Sequence, residues 1–470
     1  MRLALLLAAA LAAAPPVPLA DAARRMDRAA LQSLLKQKAD PNSAHPDGST
    51  ALHWAAHQDD LESARLLLQA GANAKAVNRY GVTPLSEACA NGNGAMVELL
   101  LKAGADANSA LPGGETMLMV AARTGKVEAV RALIAAGANV NAKEAKGGQT
   151  ALMWAAAEGN GEAVGALLHA GADLNTRVDS GFTAFLFAVR EGHIGVVRTL
   201  VKAGVDVNET VQPGLISGKK FAQVRAGPRP GTSALVIAVT NAHYELAAHL
   251  LDAGADPNAA LPGLTALHVI TSVRKPGLGD NDPAPDGSGR MTSIEFVRKM
   301  AAKGANLNTR MTRRVSLGMT GINTLGATPF FMAARTADAE LMRVLAELGA
   351  DPKINNADNS TPLMAAAGLG TRSPGEDAGT ESEVLEAMQV ALDLGIDINA
   401  VDNNGETAMH GAAYKNAPKA VAFLAAKGAR REVWDKPNKN GWTPRRIAEG
   451  YRFGNFKPSL VTVEAFDRLK

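Results

Sequence analysis

A threonine-containing frame recurs along the chain, and it restricts the possible folds more than any other feature. The frame resembles G-x-T-[PA]-[LMF], and a second frame resembling GADxN follows it, with its glycine 21 residues after the threonine in eight of ten cases. Self-similarity at a period of about 20–50 residues is the signature of a repeat architecture. The frame places its threonine, once serine, at Thr50, Thr83, Thr116, Thr150, Thr183, Ser233, Thr265, Thr328, Thr361, Thr407 and Thr443.

Each part of the frame has a mechanical role, which the segment 82–108 illustrates. Thr83 is suited to cap a helix and Pro84 to occupy its first turn. A second short helix is predicted over 95–102, and Gly104 supplies the left-handed residue that ends it. Two such helices cannot bury their apolar faces alone. Copies of the unit must therefore stack into a solenoid.

These features resemble the ankyrin repeat. The residues that carry the resemblance include GSTALHWAAHQDDLESARLLLQAGANA at 48–74 and GATPFFMAARTADAELMRVLAELGADP at 326–352. The resemblance implies an all-α solenoid of about eleven helix–turn–helix units plus an N-terminal half-repeat, with β-hairpin loops at the junctions. The family's usual histidine three residues after the threonine is kept at His53, His268 and His410. In six other repeats an apolar residue takes its place: Met119, Met153, Leu186, Val236, Phe331 and Met364.

The order of segments along the chain follows from the spacing. The predicted segments are a signal peptide at 1–22, an N-terminal capping half-repeat at 23–46, regular repeats at 47–208, repeats with insertions at 209–440 and a C-terminal capping unit at 441–470. The four insertions are 209–231, 272–290, 309–326 and 368–382.

The N-terminus has the layout of a secretory signal peptide. One basic residue precedes an apolar run at 3–14, and a small-x-small site ends at Ala22. Twelve apolar residues are too few to span a bilayer of about 30 Å. We therefore expect a bacterial-type exported protein, periplasmic or secreted, with no transmembrane segment after signal removal.

Two insertions lengthen the hairpins between repeats, and both are basic. We call 209–231 the first basic finger and 309–326 the second basic finger; together they carry seven cations and one acid, Glu209. The other two insertions lie between the helices of one repeat and are expected on the opposite edge. The apolar residues of the fingers are compatible with partner contact or with packing on neighbouring repeats. The candidate partner-binding residues are Lys219, Lys220, Arg225, Arg229, Arg310, Arg313 and Arg314.

The residues give little support to catalysis, cofactors or metals. His53 and His57 have zinc-ligand spacing, but His53 occupies the usual position of the resembled family and Trp54 replaces the glutamate of a metalloprotease. Cys89 stands at a small, buried helical position, so no catalytic thiol is expected. Segment 214–220 is a poor match to a phosphate-binding loop, and 280–289 is a poor match to a calcium loop.

The expected function is therefore non-catalytic binding of a partner protein. A net charge of +3 creates no global field for nucleic acid, and the basic, aromatic segment 430–470 is interpreted as a cap for the last repeat. The hairpin fingers and the concave face would bind a partner with an acidic patch. Two alternatives remain: an accessory subunit or regulator of an exported enzyme, and a secreted effector directed at a host.

Overall fold

The computed structural model describes residues 17–212, 229–261, 263–277, 284–315, 321–452 and 457–469. The chain divides into two compact units. Of the described residues, the first unit contains 17–188 together with 195–204, and the second unit contains 189–194 and those from 205 to 469. Both are built from short paired helices, which confirms the all-α solenoid prediction.

The first unit stacks five complete helix pairs. First helices pack on first helices, as α1 does on α3, and second helices pack on second helices, as α6 does on α8. A sixth pair lies where the chain passes from one unit to the other. The bounds are α1 Pro18–Arg24, α2 Arg28–Lys36, α3 Ala51–His57, α4 Leu61–Gln69, α5 Pro84–Asn91, α6 Gly94–Lys102, α7 Met117–Thr124, α8 Val127–Ala135, α9 Ala151–Ala157, α10 Gly161–His169, and the sixth pair α11 Ala184–Arg190 and α12 Ile194–Lys202.

The second unit repeats this arrangement with six further pairs and one short extra helix. A two-residue antiparallel pair, β1 with β2, forms one of its hairpins. The bounds are α13 Ala234–Thr240, α14 Tyr244–Asp252, β1 Ala260–Leu261, β2 Leu264–Thr265, α15 Ala266–Arg274, α16 Ser293–Ala302, α17 Pro329–Arg335, α18 Ala339–Glu347, α19 Pro362–Ala366, α20 Glu381–Asp393, α21 Ala408–Tyr414, α22 Pro418–Ala426, α23 Arg431–Trp434, α24 Pro444–Ala448 and α25 Leu460–Asp467.

The recurring threonines begin the first helices. Thr83 Oγ1 accepts a hydrogen bond from Ser86 N at 3.1 Å, and Pro84 occupies the first turn, where no backbone donor is needed. In repeats that keep the histidine, the ring joins two repeats. His53 Nδ1 lies 2.9 Å from Thr50 Oγ1, and its Nε2 lies 3.1 Å from Val82 O in the next hairpin. This position is therefore structural, and its apolar replacements, such as Met153 and Phe331, are buried.

A ladder of asparagines connects consecutive hairpins. Asn108 Nδ2 donates to Gly137 O at 3.1 Å, and its Oδ1 accepts from Asn139 N at 2.7 Å. The last residue of the GADxN-like frame thus satisfies two backbone groups of the following repeat. Equivalent bonds are made by Asn42, Asn141, Asn208, Asn258 and Asn399.

The N-terminal repeat differs from the predicted half-repeat at 23–46. It is a complete pair, because α1 begins at Pro18 and packs on both α2 and α3. Leu19 and Ala20 are buried in this packing. The predicted boundary after Ala22 therefore falls inside a helix whose apolar face the next repeat covers.

The C-terminal segment packs on the last repeats. Helix α25 lies against α22 and α24, and the buried rings of Trp434 and Phe466 are 5.7 Å apart between centroids. Of the remaining aromatic residues noted there, Phe453 and Phe456 lie outside the described residues. Within the described ranges, no helix is long and apolar enough to cross a membrane.

Candidate partner-binding surface

The first basic finger begins and ends in a short antiparallel bridge. Thr210 pairs with Ser233, Val211 N donates to Thr232 O at 2.9 Å, and Gly231 N donates to Val211 O at 2.7 Å. The buried Val211 side chain fixes this root to the repeats. Arg229 is exposed beside the root. The other three predicted residues of this finger, Lys219, Lys220 and Arg225, lie outside the described residues.

The second basic finger is anchored by its own backbone and side chains. Met311 N donates to Ala327 O at 2.9 Å, and Gly326 N returns a bond to Met311 O at 2.8 Å. Farther out, Thr324 Oγ1 accepts from Val315 N at 2.9 Å and donates to Val315 O at 2.8 Å. Met311 and Thr324 are buried. The described part of this finger is therefore a packed structure.

The same finger docks on the repeat that follows it. Leu325 O accepts from Ala357 N at 2.8 Å, and Asn323 Nδ2 donates to Asp358 Oδ1 at 2.9 Å. Gly321 N donates to Gly370 O at 2.7 Å, so the finger reaches the insertion at 368–382. The expectation that the two kinds of insertion occupy opposite edges is corrected here. A Cβ on Gly370 would lie 2.4 Å from Ile322 N, so only glycine permits this approach.

The predicted arginines of the second finger fall into two groups. Arg310 and Arg314 are exposed, and each donates to a backbone carbonyl: Arg310 Nη2 to Asn355 O at 2.8 Å, and Arg314 Nη2 to Gly321 O at 3.4 Å. Arg313 is half-buried, and its Cγ lies 2.4 Å from the position of a Cβ on Gly263. Arg310 and Arg314 can reach a partner, whereas the Arg313 stem packs against the preceding hairpin.

The insertion at 368–382 contains a buried charge network. Arg335 Nη2 lies 3.4 Å from Asp377 Oδ1, and Thr371 Oγ1 donates to Asp377 Oδ2 at 3.1 Å. Lys415 Nζ donates to Asp377 O at 3.2 Å and to Ala378 O. Burial lowers the pKa of Lys415, with Asp377 opposing the shift and Arg335 adding to it. The described part of this insertion joins three consecutive repeats.

A polar pocket of about 290 Å³ lies where the second finger meets this insertion. Its walls come from the finger, the insertion, two later hairpins and helix α21. The lining includes two cations, one carboxyl group, two carboxamides and a phenol. These residues are Gly321, Gly370, Thr371, Arg372, Asn404, Glu406, Tyr414, Lys439 and Asn440.

Glu406 is the acidic group of the pocket. Its Oε1 accepts from Tyr414 Oη at 2.8 Å and from Asn438 Nδ2 at 2.9 Å. Burial raises the pKa of Glu406, the carboxylates of Asp402 and Asp358 act in the same direction, and the two hydrogen bonds oppose them. The pocket therefore presents a fixed acceptor with exposed cations nearby.

Sequence reasoning missed this pocket. Arg372 lies in the predicted insertion 368–382, which has no distinctive motif, and Glu406 and Tyr414 stand within an ordinary repeat. The lining residues come from four separated stretches, and the contact between Gly321 and Gly370 brings the finger to the other three. A glycine pair carries no sequence signal for such a contact.

The described residues offer no reactive or metal-binding cluster. Burial raises the pKa of the Cys89 thiol to about 12, so its nucleophilic thiolate is suppressed. His57 Nδ1 lies 2.9 Å from Glu87 Oε2, while His53 is held by its own repeat and the next. Within the described ranges, no group of three or more His, Cys, Asp or Glu side chains is placed to hold a metal ion.

Comparison with known protein families identifies the class. Ankyrin repeats in three copies match residues 19–111 and 104–178, single ankyrin repeats match 180–210 and 231–260, and ankyrin repeats in many copies match 380–425. Together these matches cover more than half of the chain. The protein therefore belongs to the ankyrin-repeat family, as the sequence frame predicted. Ankyrin repeats are typically non-catalytic modules that bind other proteins.

One curated relative is similar to this chain over a limited length. The chain is 34% identical over 194 residues to neurogenic locus notch homolog protein 1 of Xenopus laevis. The match covers 36% of this chain and only 7% of that protein. The likeness is therefore confined to a small part of the relative's length.

Proposed function

We propose that this protein is an exported, non-catalytic scaffold that binds a partner protein through its hairpin fingers and concave face. The observation that carries the proposal is the second finger, where Arg310 and Arg314 stay exposed on a segment anchored by buried Met311 and Ile322. Cations held on a packed segment lose less conformational entropy on binding than those on a free loop. The partner would present an acidic patch.

The proposal extends to the first finger. Arg229, together with Lys219, Lys220 and Arg225, adds four cations to the same type of hairpin junction. Exposed charges, such as that of Arg229, steer association and set specificity, and salt screens them. Binding should therefore weaken as ionic strength rises from about 0.05 M to about 0.5 M. An affinity that is the same at both salt concentrations would contradict the electrostatic part of the proposal.

A charge-removal experiment tests the finger more sharply than deletion does, because deletion would expose the core around Met311 and Ile322. The double variant Arg310→Gln with Arg314→Gln keeps the packing and removes two exposed cations. We expect partner affinity to fall about three- to tenfold, since each exposed ion pair contributes up to about 1 kcal/mol. The partner would be identified by crosslinking in an extract of exported proteins.

The matched control removes the same charge elsewhere. Lys36 in α2 and Arg65 in α4 are exposed on second helices of the first unit, so Lys36→Gln with Arg65→Gln changes net charge equally. The control should retain the affinity of the unchanged protein. Equal losses in both double variants would show a non-specific charge effect, and no loss in either would exclude the second finger as a contact.

Export is proposed from the apolar run at 3–14 and the small residues that follow it. The burial of Leu19 and Ala20 against the following repeat supports processing upstream of Pro18 rather than after Ala22. The test is to express the full chain in a bacterial host, fractionate the cells and determine the mature N-terminus by mass spectrometry. An unprocessed chain confined to the cytoplasm would contradict export, and an N-terminus at Ala23 would contradict the upstream site.

A further inference from the structure

The side chains that line the pocket between the second finger and the insertion at 368–382 indicate which kind of ligand it could bind. Its volume of about 290 Å³ is roughly ten times the volume that one water molecule occupies in the liquid, which is room for one amino-acid residue. A regular repeat would lack the two glycine segments that form its wall. The pocket thus belongs to the irregular part of the second unit.

Two cations at the pocket are available to a ligand. Arg372 and Lys439 are both exposed, and within the described part of the chain neither forms an ion pair. Arg372 Nε stands 3.1 Å from the position of a Cβ on Gly321, so the docked finger borders this guanidinium. The cations come from different repeats and converge on one cavity.

One acceptor of the pocket is also available. Both hydrogen bonds to Glu406 from Tyr414 and Asn438 end on Oε1, and Oε2 has no partner among the described residues. The hairpin that carries Glu406 is itself fixed. Asp402 Oδ1 accepts from Glu406 N at 2.9 Å, and Ser360 Oγ donates to Asp402 Oδ2 at 2.8 Å.

We propose that this pocket receives an acidic residue of the partner polypeptide, with its side-chain carboxylate between Arg372 and Lys439 and a main-chain N–H donated to Glu406 Oε2. The inference rests on the proposed function and names the group that the scaffold would recognise. The two exposed cations outnumber the single carboxyl group of Glu406, so a lysine or arginine in the pocket would add a third positive charge to a net positive site, which is unfavourable by Coulomb's law. An acidic residue supplies both the anion and the donor.

Blocked tripeptides test the chemistry directly. The probe is N-acetyl-Ala-Glu-Ala-amide, compared with the same peptide carrying Gln or Lys at the centre, at about millimolar concentration by ligand-observed NMR. The Glu peptide should bind at least about fivefold more tightly than the Gln peptide, and the Lys peptide least. Absence of binding, equal binding of Glu and Gln peptides, or preference for Lys would overturn the proposal. So would tighter binding of N-acetyl-Ala-Ala-Ala with a free carboxyl end, because the source would then be a chain terminus.

Variants place the binding in this pocket. Arg372→Gln and Lys439→Gln should each weaken binding of the Glu peptide about three- to tenfold, while Lys419→Gln, which removes an exposed cation outside the pocket, should leave it unchanged. Gly370→Ala should also weaken it, because its Cβ would displace Ile322 and with it the finger wall. Circular dichroism would establish that each variant remains folded. Equal binding by all four folded variants would overturn the proposal.

The outcome separates this inference from the proposed function. If the protein captures a partner but the Glu peptide does not bind, the pocket inference fails and the scaffold proposal stands. If the Glu peptide binds in the pocket but no protein partner is captured under any salt condition, the scaffold proposal fails instead.

Discussion

Both units contain a second helix whose capping aspartate pairs with an arginine, but the two arginines differ in their exposure to solvent. Asp60 caps α4 and Asp338 caps α18, and each also pairs with an arginine from the preceding repeat. Arg28 leaves 53% of its side chain exposed, whereas Arg274 leaves only 12% exposed. The first pair is open to water on one side, and the second is enclosed.

The cause of this difference is the insertion after α15. Helix α15 has nine residues whereas α3 has seven, and the two extra residues carry Arg274 to the repeat boundary. There Arg274 contacts Asp338, Glu340 and Ser293. Arg274 lies within the predicted insertion 272–290. The comparison shows that an insertion can supply a residue to the core that a regular repeat cannot provide.

The largest predicted effect comes from breaking the enclosed pair. Arg274→Ala should lower the free energy of unfolding by about 3–5 kcal/mol, because it leaves the buried Asp338 carboxylate without its counter-charge. Arg28→Ala should cost about 1 kcal/mol or less, since water can replace the half-exposed guanidinium at Asp60. Denaturant unfolding, combined with hydrogen exchange of α4 and α18, would measure both losses. Equal losses would remove the distinction between the units.

The second prediction concerns acid. Burial lowers the pKa of both His268 and His410 in the second unit to about 4. An unfolded histidine titrates near 6.5, so below that pH the unfolded chain binds more protons than the folded chain. The free energy of unfolding should therefore be unaffected by these groups above pH about 6.5. It should fall as pH drops toward 4, by up to about 3 kcal/mol for each histidine.

His268→Met tests this prediction, because methionine occupies the equivalent position at Met153 and Met364. The variant should lose less stability than the unchanged protein between pH about 6.5 and about 4. Stability measured by denaturant across this range gives the difference. If the free energy of unfolding falls equally with pH in both proteins, His268 does not contribute to the acid sensitivity.

The smallest predicted effect concerns the asparagine ladder in the first unit. Asn108→Ala removes two hydrogen bonds to the next repeat and should cost about 1–2 kcal/mol. Lys75 occupies the same position of its repeat, and its ammonium group cannot accept a hydrogen bond. Lys75→Asn should therefore stabilise the first unit by up to about 1 kcal/mol. Thermal unfolding of both variants would measure the two changes. If Lys75→Asn were destabilising, an asparagine at this position would not make the bonds that Asn108 makes.

The sequence alone was sufficient to predict the repeat and the positions at which the insertions begin and end. Thr83, Pro84 and Gly104 determine where helices start and stop through local chemistry, which a frame of residues records directly. The destination of the second finger was not predictable, because it depends on Gly321 meeting Gly370 across an intervening repeat. The start of α1 at Pro18 was not predictable for a related reason. The burial of Leu19 depends on α3, which lies in the next repeat.

The contact between Gly321 and Gly370 also has a consequence for the order of events during synthesis. The chain emerges from its N-terminus, so the second finger is complete while its docking site is still about fifty residues away. At roughly 5–20 residues per second, that interval lasts several seconds. During this time Ile322 has no cover from the later repeat. During synthesis this part of the finger therefore lacks its later cover, and that stage ends only after the segment around Gly370 has been made and has folded.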